Sequence, residues 1–355
     1  MMRRRTKLSK QKRFSLLGPL SLKDMELVTW LMLDFFGSLS NKKMREFLGK
    51  EVYPKKTVPL SFGDFLSYYK KEHSVDAHRY TQSFHSLIRK LLDHGFLVNA
   101  GSSTGSPPYN QCYYSDREFT EAQKKGLFVF SEALGPNFIR YKYEKYIVRI
   151  EGALKSNNLI HGTGTGILIQ KDIILTCKHN IDDLDEKHFF LGEKELSVKE
   201  YISHESKDIS LVILEENITD IEVFPYFGYP FEMDNIVTLG YPPVQTSTDE
   251  CPVMVSQKGE INGITHNWNS SKILVISSMV RPGNSGGPVV SNYGYIVGLV
   301  IQSVNPSTSY TSNIDTNSKL KQVNNPFYIA ISSVDIFKFI NLVIPNNKVV
   351  FEDYN

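Results

Sequence analysis

From Leu22 onward the chain runs first in a helical rhythm and then in a β rhythm. Met25, Leu27, Val28, Leu31, Leu33, Phe35 and Phe36 are too dense for a helix with one apolar stripe, which predicts a central helix. A second helix is predicted near Lys42 to Phe47. The stretch Asp76 to Gly95 repeats Tyr80, Phe84, Leu87, Ile88, Leu91 and Leu92 at three- and four-residue spacing and sets His78, Arg79, Gln82, Ser83, Ser86, Arg89 and Lys90 on the other face, a third helix that Gly95 stops. FLVNA, the turn-rich SSTGSPP and YNQCYYS then read as a β-hairpin with a long loop. Residues 116–142 read as a helical connector. Beyond them come short β-runs divided by turn signals: KYIVRIEG, TGILIQ, DIILTC, ISLVIL, NIVTLGY, KILVIS, GYIVGLVIQSV and PFYIAIS. Such a series predicts an all-β barrel or sandwich. Ser333 to Val343 reads as a closing amphipathic helix with a serine cap and Val334, Phe337, Ile340 and Leu342 turned to the barrel.

Charge sharpens this division. Residues 1–130 hold 22 Lys+Arg against 12 Asp+Glu, and residues 131–355 hold 18 against 26, about +10 and −8 inside a formal net charge of +2. Such polarity suggests two domains with different partners. Residues 1–19, with Arg3, Arg4, Arg5, Lys7, Lys10, Lys12 and Arg13, are expected to be a flexible basic arm, since they hold too little apolar surface to order themselves. Three helices followed by a hairpin resemble a winged-helix domain over residues 20–115, which implies a nucleic acid or a protein as its ligand. The division expected is therefore an arm over 1–19, a winged-helix-like domain over 20–115, a helical connector over 116–142 and a β-rich domain over 143–345.

Three widely spaced cysteines, Cys112, Cys177 and Cys251, indicate neither a disulfide framework nor a zinc site. The N-terminus begins like the basic part of a signal peptide, but its apolar part is short, is broken by Gly18-Pro19 and lacks a small-residue cleavage pattern. The apolar run from Met25 to Leu39 is interrupted by Glu26 and Asp34 and is shorter than the ~20 residues of a membrane span. A cytoplasmic protein with no membrane partner is the expectation.

The candidate chemistry centres on RPGNSGGPVV, Arg281 to Val290. Glycine costs roughly 1 kcal/mol against alanine inside a helix or strand, so glycines on both sides of Ser285 point to something other than stability. They let successive N–H groups face one concavity, as an oxyanion hole around a serine nucleophile requires. Gly283 and Ser285 are the expected donors. The pattern G-x-S-x-G also occurs at the nucleophile elbow of α/β-hydrolases, where the histidine follows the serine. All nine histidines here precede Ser285, which excludes the elbow and leaves the order His, Asp, Ser.

With GTGTGILIQKDIILTCKHNI placing His179 after a buried strand, KDISLVIL beginning at Lys207-Asp208, and GNSGGP around Ser285, residues 145–343 resemble trypsin-like serine peptidases, closest to the Deg/HtrA and glutamyl-endopeptidase branch. The resemblance implies a double β-barrel and a triad: Ser285 attacks the scissile carbonyl, His179 takes and returns its proton, and Asp208 fixes the imidazole tautomer. Asp182, Asp183 and Asp185 follow His179 too closely to serve as that carboxylate and read as a solvated face. Cys177 reads as a packed thiol, His161 as a surface histidine at a strand entrance, and GTGTG as no phosphate loop, since no lysine follows where one is required.

The resemblance also places the substrate pocket along Met279, Val280 and Ile301, Gln302 and Ser303, mostly apolar and uncharged, which implies a small or medium apolar residue before the scissile bond. No cofactor or metal is implied, and no PDZ-like tail is expected after the barrel. The stretch Asn305 to Asn325, rich in Ser, Thr and Asn, is expected to be mobile, and the resemblance places it beside the pocket, where it is either an element of control or a solvated insertion with no role. The function expected is an intracellular serine endopeptidase whose N-terminal domain recruits or senses a ligand. The alternative is a DNA-binding regulator whose barrel only binds peptide.

Overall fold

A computed structural model describes residues 20–74, 77–244, 252–267, 270–301 and 327–352. Residues 1–19 and the whole stretch Asn305 to Asn325 fall outside the described residues, as do Cys251, Gln302 and Ser303. The chain forms two compact units, one running to Glu121 and taking in Glu132–Leu134, the other comprising Ala122–Ser131 and Gly135 onward.

The first unit contains helices at Leu22–Phe36, Asn41–Leu48, Phe62–His73 and Thr81–Asp93, with strands at Leu60–Ser61, Val98–Ser102 and Gln111–Tyr114. The last strand lies between the other two, antiparallel to both. Its core is aromatic: Phe35 and Phe84 both pack against Phe65, at ring-centre distances of 5.4 and 5.7 Å. The periodicity expected from 76 to 95 resolves into a 3₁₀ turn, Ala77–Tyr80, and a helix with Phe84, Leu87, Ile88 and Leu91 buried. Gly95, at φ +68°, ends it, and the Phe96 N–H closes back onto the Leu91 carbonyl at 2.8 Å.

Phe62–His73 is a fourth helix that the hydrophobic pattern did not single out. Its start is set by a reciprocal cap, in which Ser61 Oγ accepts from the Asp64 N–H and Asp64 accepts from the Ser61 N–H. The first helix also departs from expectation, because Leu27 and Trp30 are exposed and only one flank is buried.

The second unit is β-rich. One seven-stranded sheet runs Lys194–Glu195, Leu184–Leu191, Ile147–Leu154, Asn157–Gln170, Ile173–Thr176, Ser210–Leu214, Val198–Ser203. In the other, Pro288–Ser291, Asn235–Gly240, Val255–His266, Lys272–Ile276, Tyr328–Ser332 and Ile296–Val300 pair in turn, and the last pairs with the first to close a six-stranded barrel. Ile173–Thr176 and Ile296–Val300 are buried at every position, which is why, Thr176 apart, they read as apolar runs. Leu184–Leu191 and Val255–His266 were not legible as strands. The first is exposed at several positions, and the second mixes polar residues with Gly259 and Gly263 and carries a register shift there.

The closing helix Ser333–Val343 forms as expected, capped by Ser332, but it buries only part of the expected face, Ile340 being buried and Phe337 packing on Phe227 and Phe351. Ile336, Phe339 and Ile340 are buried with Asp335, while Leu342 is 76% exposed. Asp335 is anchored at that face: its carboxylate accepts from the Lys272 N–H at 2.7 Å and pairs with Lys207 Nζ at 2.9 Å. Among the described residues no helix is long and apolar enough to cross a membrane.

Candidate active site

Strand register brings the first two candidate residues together. Ser210 pairs with Thr176 in antiparallel strands, so continuing outward the chain sets Asp208 against Lys178 and His179. After Thr176 the backbone stays extended at Cys177 and then turns into the short helix Lys178–Asp182, which presents His179 in its first turn. His179 Nδ1 lies 2.7 Å from Asp208 Oδ2, and the His179 backbone N–H donates to Asp208 Oδ1 at 3.0 Å. The loop carrying Asp208 is held by contacts the sequence did not single out. His204 Nδ1 accepts from the N–H groups of Ser206 and Lys207, both at 3.1 Å, and Lys178 Nζ donates to the His204 carbonyl at 3.1 Å.

Electrostatics follow from this geometry. Burial works to lower the His179 pKa, but the hydrogen bond and charge of Asp208, helped by Asp183 and Asp182, outweigh it and hold the imidazole above its ordinary value. For Asp208 burial works upward, and it is overcome by the His179 hydrogen bond and charge and by the N–H groups of His179 and Lys178, which hold the carboxyl below its ordinary range. Asp182, Asp183 and Asp185 are exposed, a solvated face as expected.

The third candidate sits in a turn that only glycine permits. Gly283 and Gly286 have φ of +93° and +83°, and a Cβ on Gly286 would lie 2.1 Å from the Thr165 carbonyl oxygen. Ser285 is 4% exposed, so its surroundings are enclosed. Its carbonyl accepts from the Thr165 N–H at 2.9 Å and from Asn180 Nδ2 at 2.8 Å. Asn180 adjoins His179, so the serine loop and the histidine helix are joined directly. Within the loop the N–H of Asn284 bonds to Arg281, that of Gly286 to Val300 and that of Gly287 to Asn284. Among the described residues, neither the Gly283 nor the Ser285 N–H has a backbone carbonyl partner.

Cys177 is buried, with Sγ donating to the Val300 carbonyl at 3.1 Å, and burial together with the Asp208 charge pushes its pKa well above the ordinary thiol value. Among the described residues, Cys177, His179 and Asp208 are the one group of His, Cys, Asp or Glu ligand atoms close enough to share a metal ion, within 4.8 Å of one another. A thiol held protonated and a histidine already bonded to its carboxylate fit proton handling better than metal ligation. Of the expected pocket residues, Met279 is 44% exposed, Val280 is buried in the barrel core with Ile236, Ile261 and Ile276, and half-buried Ile301 pairs through its N–H with the Ile329 carbonyl at 3.0 Å. His161 is exposed on its strand.

The second unit thus carries a closed six-stranded barrel, a seven-stranded sheet, a histidine bonded to an aspartate after one buried strand, and a glycine-flanked serine, an arrangement similar to that of trypsin-like serine peptidases. Residues 164–299 match the family model of the trypsin-like peptidase domain. A probable periplasmic serine protease, do/HhoA-like, of Haemophilus influenzae is 26% identical over 180 residues, 46% of this chain and 36% of the relative. The chain thus spans about a third of the length of that curated relative. Among solved structures, the active form of the Rv3671c protease from M. tuberculosis is similar with 16% identity and a TM-score of 0.47, over 61% of this chain and 88% of that one. The serine endoprotease from Yersinia pestis is similar with 18% identity and a TM-score of 0.44, over 59% and 66%. The expectation of a cytoplasmic protein is overturned by the Haemophilus relative, which is named as periplasmic and suggests an extracytoplasmic location.

Proposed function

We propose that the second unit hydrolyses peptide bonds of protein or peptide substrates through His179, Asp208 and Ser285. The Ser285 hydroxyl adds to the scissile carbonyl carbon while its proton passes to His179 Nε2. The carbonyl oxygen becomes an oxyanion, received by the N–H groups of Gly283 and Ser285. Collapse breaks the C–N bond, the imidazolium gives its proton to the leaving amine, and an acyl-enzyme remains on Ser285. Water, deprotonated by His179, then releases the acid. The observation that carries this reading is the 2.7 Å contact between His179 Nδ1 and Asp208, which leaves Nε2 as the nitrogen available to a serine tied to the neighbouring residue Asn180. Met279 and Ile301 are the apolar side chains assigned to substrate recognition, with a small or medium apolar residue preferred before the scissile bond.

The test is labelling with a fluorophosphonate, followed by mapping of the modified residue. Modification at Ser285, lost in Ser285→Ala and in His179→Ala, is expected. Label on another residue, or hydrolysis of casein by Ser285→Ala above background, removes Ser285 from the mechanism.

The first unit is read as a winged-helix-like recruitment module over residues 20–115. The placement of Gln111–Tyr114 between Leu60–Ser61 and Val98–Ser102, following the helices, supports that reading. Exposed Arg89 and Lys90 on the helix Thr81–Asp93 support an anionic ligand, nucleic acid or protein.

A further inference from the structure

We infer that Thr165 and Asn180 are positioning residues that fix the serine loop in its oxyanion-receiving form and set the reach between nucleophile and base. The inference rests on the reading of Ser285 as the nucleophile. Oxyanion donors are useful only when their N–H vectors converge on one point, and a loop with glycine at positions 283, 286 and 287 has the backbone freedom to lose that convergence. Something outside the loop must therefore hold its peptide planes.

Thr165, wholly buried on the strand Asn157–Gln170, does this at two places. Its hydroxyl donates to the Gly283 carbonyl at 2.6 Å, and its N–H donates to the Ser285 carbonyl at 2.9 Å. The hydroxyl oxygen also accepts from the Tyr241 N–H at 2.9 Å, which fixes the direction of its proton toward Gly283. With the Gly283 and Ser285 carbonyls held, and with the N–H groups of Asn284 and Gly286 bonded at 2.9 and 2.8 Å, the planes on both sides of the Asn284–Ser285 peptide are set. The Ser285 N–H direction follows.

Asn180 closes the arrangement from the histidine side. Its Nδ2 spends one proton on the Ser285 carbonyl at 2.8 Å and the other on Thr176 Oγ1 at 3.0 Å, and that hydroxyl donates onward to the Thr165 carbonyl at 2.7 Å. The strand carrying Thr165, the helix carrying His179 and the loop carrying Ser285 are thereby joined by one buried set of side-chain bonds. Three glycines leave room for it. A Cβ on Gly164 would lie 2.6 Å from Asn180 Cγ, one on Gly283 would lie 2.7 Å from Thr163 Oγ1, and one on Gly286 would lie 2.4 Å from Thr176 Oγ1. Within GTGTG, Gly164 is thus explained by contact with the tether, whereas a Cβ on Gly162 or Gly166 would instead meet Leu184 or Ile174.

The test uses Thr165→Val, which keeps the shape and removes the hydroxyl, Thr165→Ser, which keeps the hydroxyl, and Asn180→Asp, which turns a donor toward the Ser285 carbonyl into an acceptor. Three quantities are read in the full chain: the fluorophosphonate labelling rate, kcat and KM on a peptide substrate, and amide hydrogen exchange of the peptide spanning residues 281–287. Thr165→Val and Asn180→Asp are expected to lower kcat and the labelling rate by roughly ten- to a hundredfold, approaching the loss of one oxyanion donor, with KM within about twofold and with faster exchange over 283–287. Thr165→Ser is expected to restore most of the rate and protection. Should Thr165→Val not fold, Asn180→Asp carries the same expectation. Labelling within about twofold of wild type together with unchanged exchange overturns the inference. If wild type takes no label at Ser285, the nucleophile reading has failed, and the exchange measurement alone decides whether the tether holds the loop.

Discussion

His179 and Asp208 make opposite demands on pH in catalysis and in stability. In the proposed mechanism His179 must be neutral to accept the serine proton, and its pKa is held above the ordinary value of about 6.5. The acid limb of kcat/KM is therefore expected above pH 6.5. Asp208→Asn removes the partner that raises it, so the limb is expected to move to lower pH while kcat falls on the order of a thousand- to ten-thousandfold. A pH–rate profile of the two proteins checks both, and an unmoved limb would place the titrating group elsewhere. For stability the signs reverse. The raised His179 pKa contributes stability that is full below about 6.5 and fades as pH rises through the folded value. The lowered Asp208 pKa contributes stability present above about 3.9 and lost as pH falls through its folded value. Urea unfolding from pH 3 to 9 is expected to show this window in wild type and to lose it in Asp208→Asn.

At the scale of elements, the closing helix shows what hydrophobic periodicity leaves open. Of the face read from spacing, Ile340 is buried and Val334 and Phe337 are half-buried, but Leu342 is exposed, and Ile336 and Phe339 are buried beside Asp335, which is bonded to the Lys272 N–H and paired with Lys207. Partners 63 and 128 positions away from that aspartate give no local signal. Ile336→Ala is therefore expected to cost about 2–5 kcal/mol and Leu342→Gln to stay within about 0.5 kcal/mol, as read by denaturant midpoints at constant slope. The helix Phe62–His73 makes the converse point. Its cap is legible as Ser61-x-x-Asp64, a signal overshadowed by the aromatic and lysine-rich sequence that follows. Ser61→Ala is expected to cost about 1 kcal/mol, measurable as a shift of the unfolding midpoint.

At the scale of the molecule, two compact units of unlike charge argue for two jobs. If the first unit takes a phosphate polymer, full-length protein is expected to be retained on duplex DNA at low salt, with log K falling against log salt by about 0.9 for each phosphate neutralised. Replacing Arg89 and Lys90 by glutamine is expected to shallow that slope by up to about two such steps. Absence of retention at 25 mM salt, or a slope that the substitutions leave untouched, turns the reading toward a protein ligand.

The proposed order His179, Asp208, Ser285 and the glycines around the serine could be read from sequence because the chemistry proposed for them needs few residues, confined to short runs. The buried strands Ile173–Thr176 and Ile296–Val300 were legible because both faces are covered, so nearly every position is apolar, Thr176 excepted. What only the tertiary structure decided depends on partners far apart in the chain. Register between Ser210 and Thr176 brings Asp208 to His179, Asp335 is anchored at the buried face of the last helix, and Thr165 and Asn180 are polar residues whose bonds reach Gly283 and Ser285 more than a hundred positions away. A buried hydrogen bond is specified by distance and direction in space, and neither is encoded in the spacing of residues along the chain.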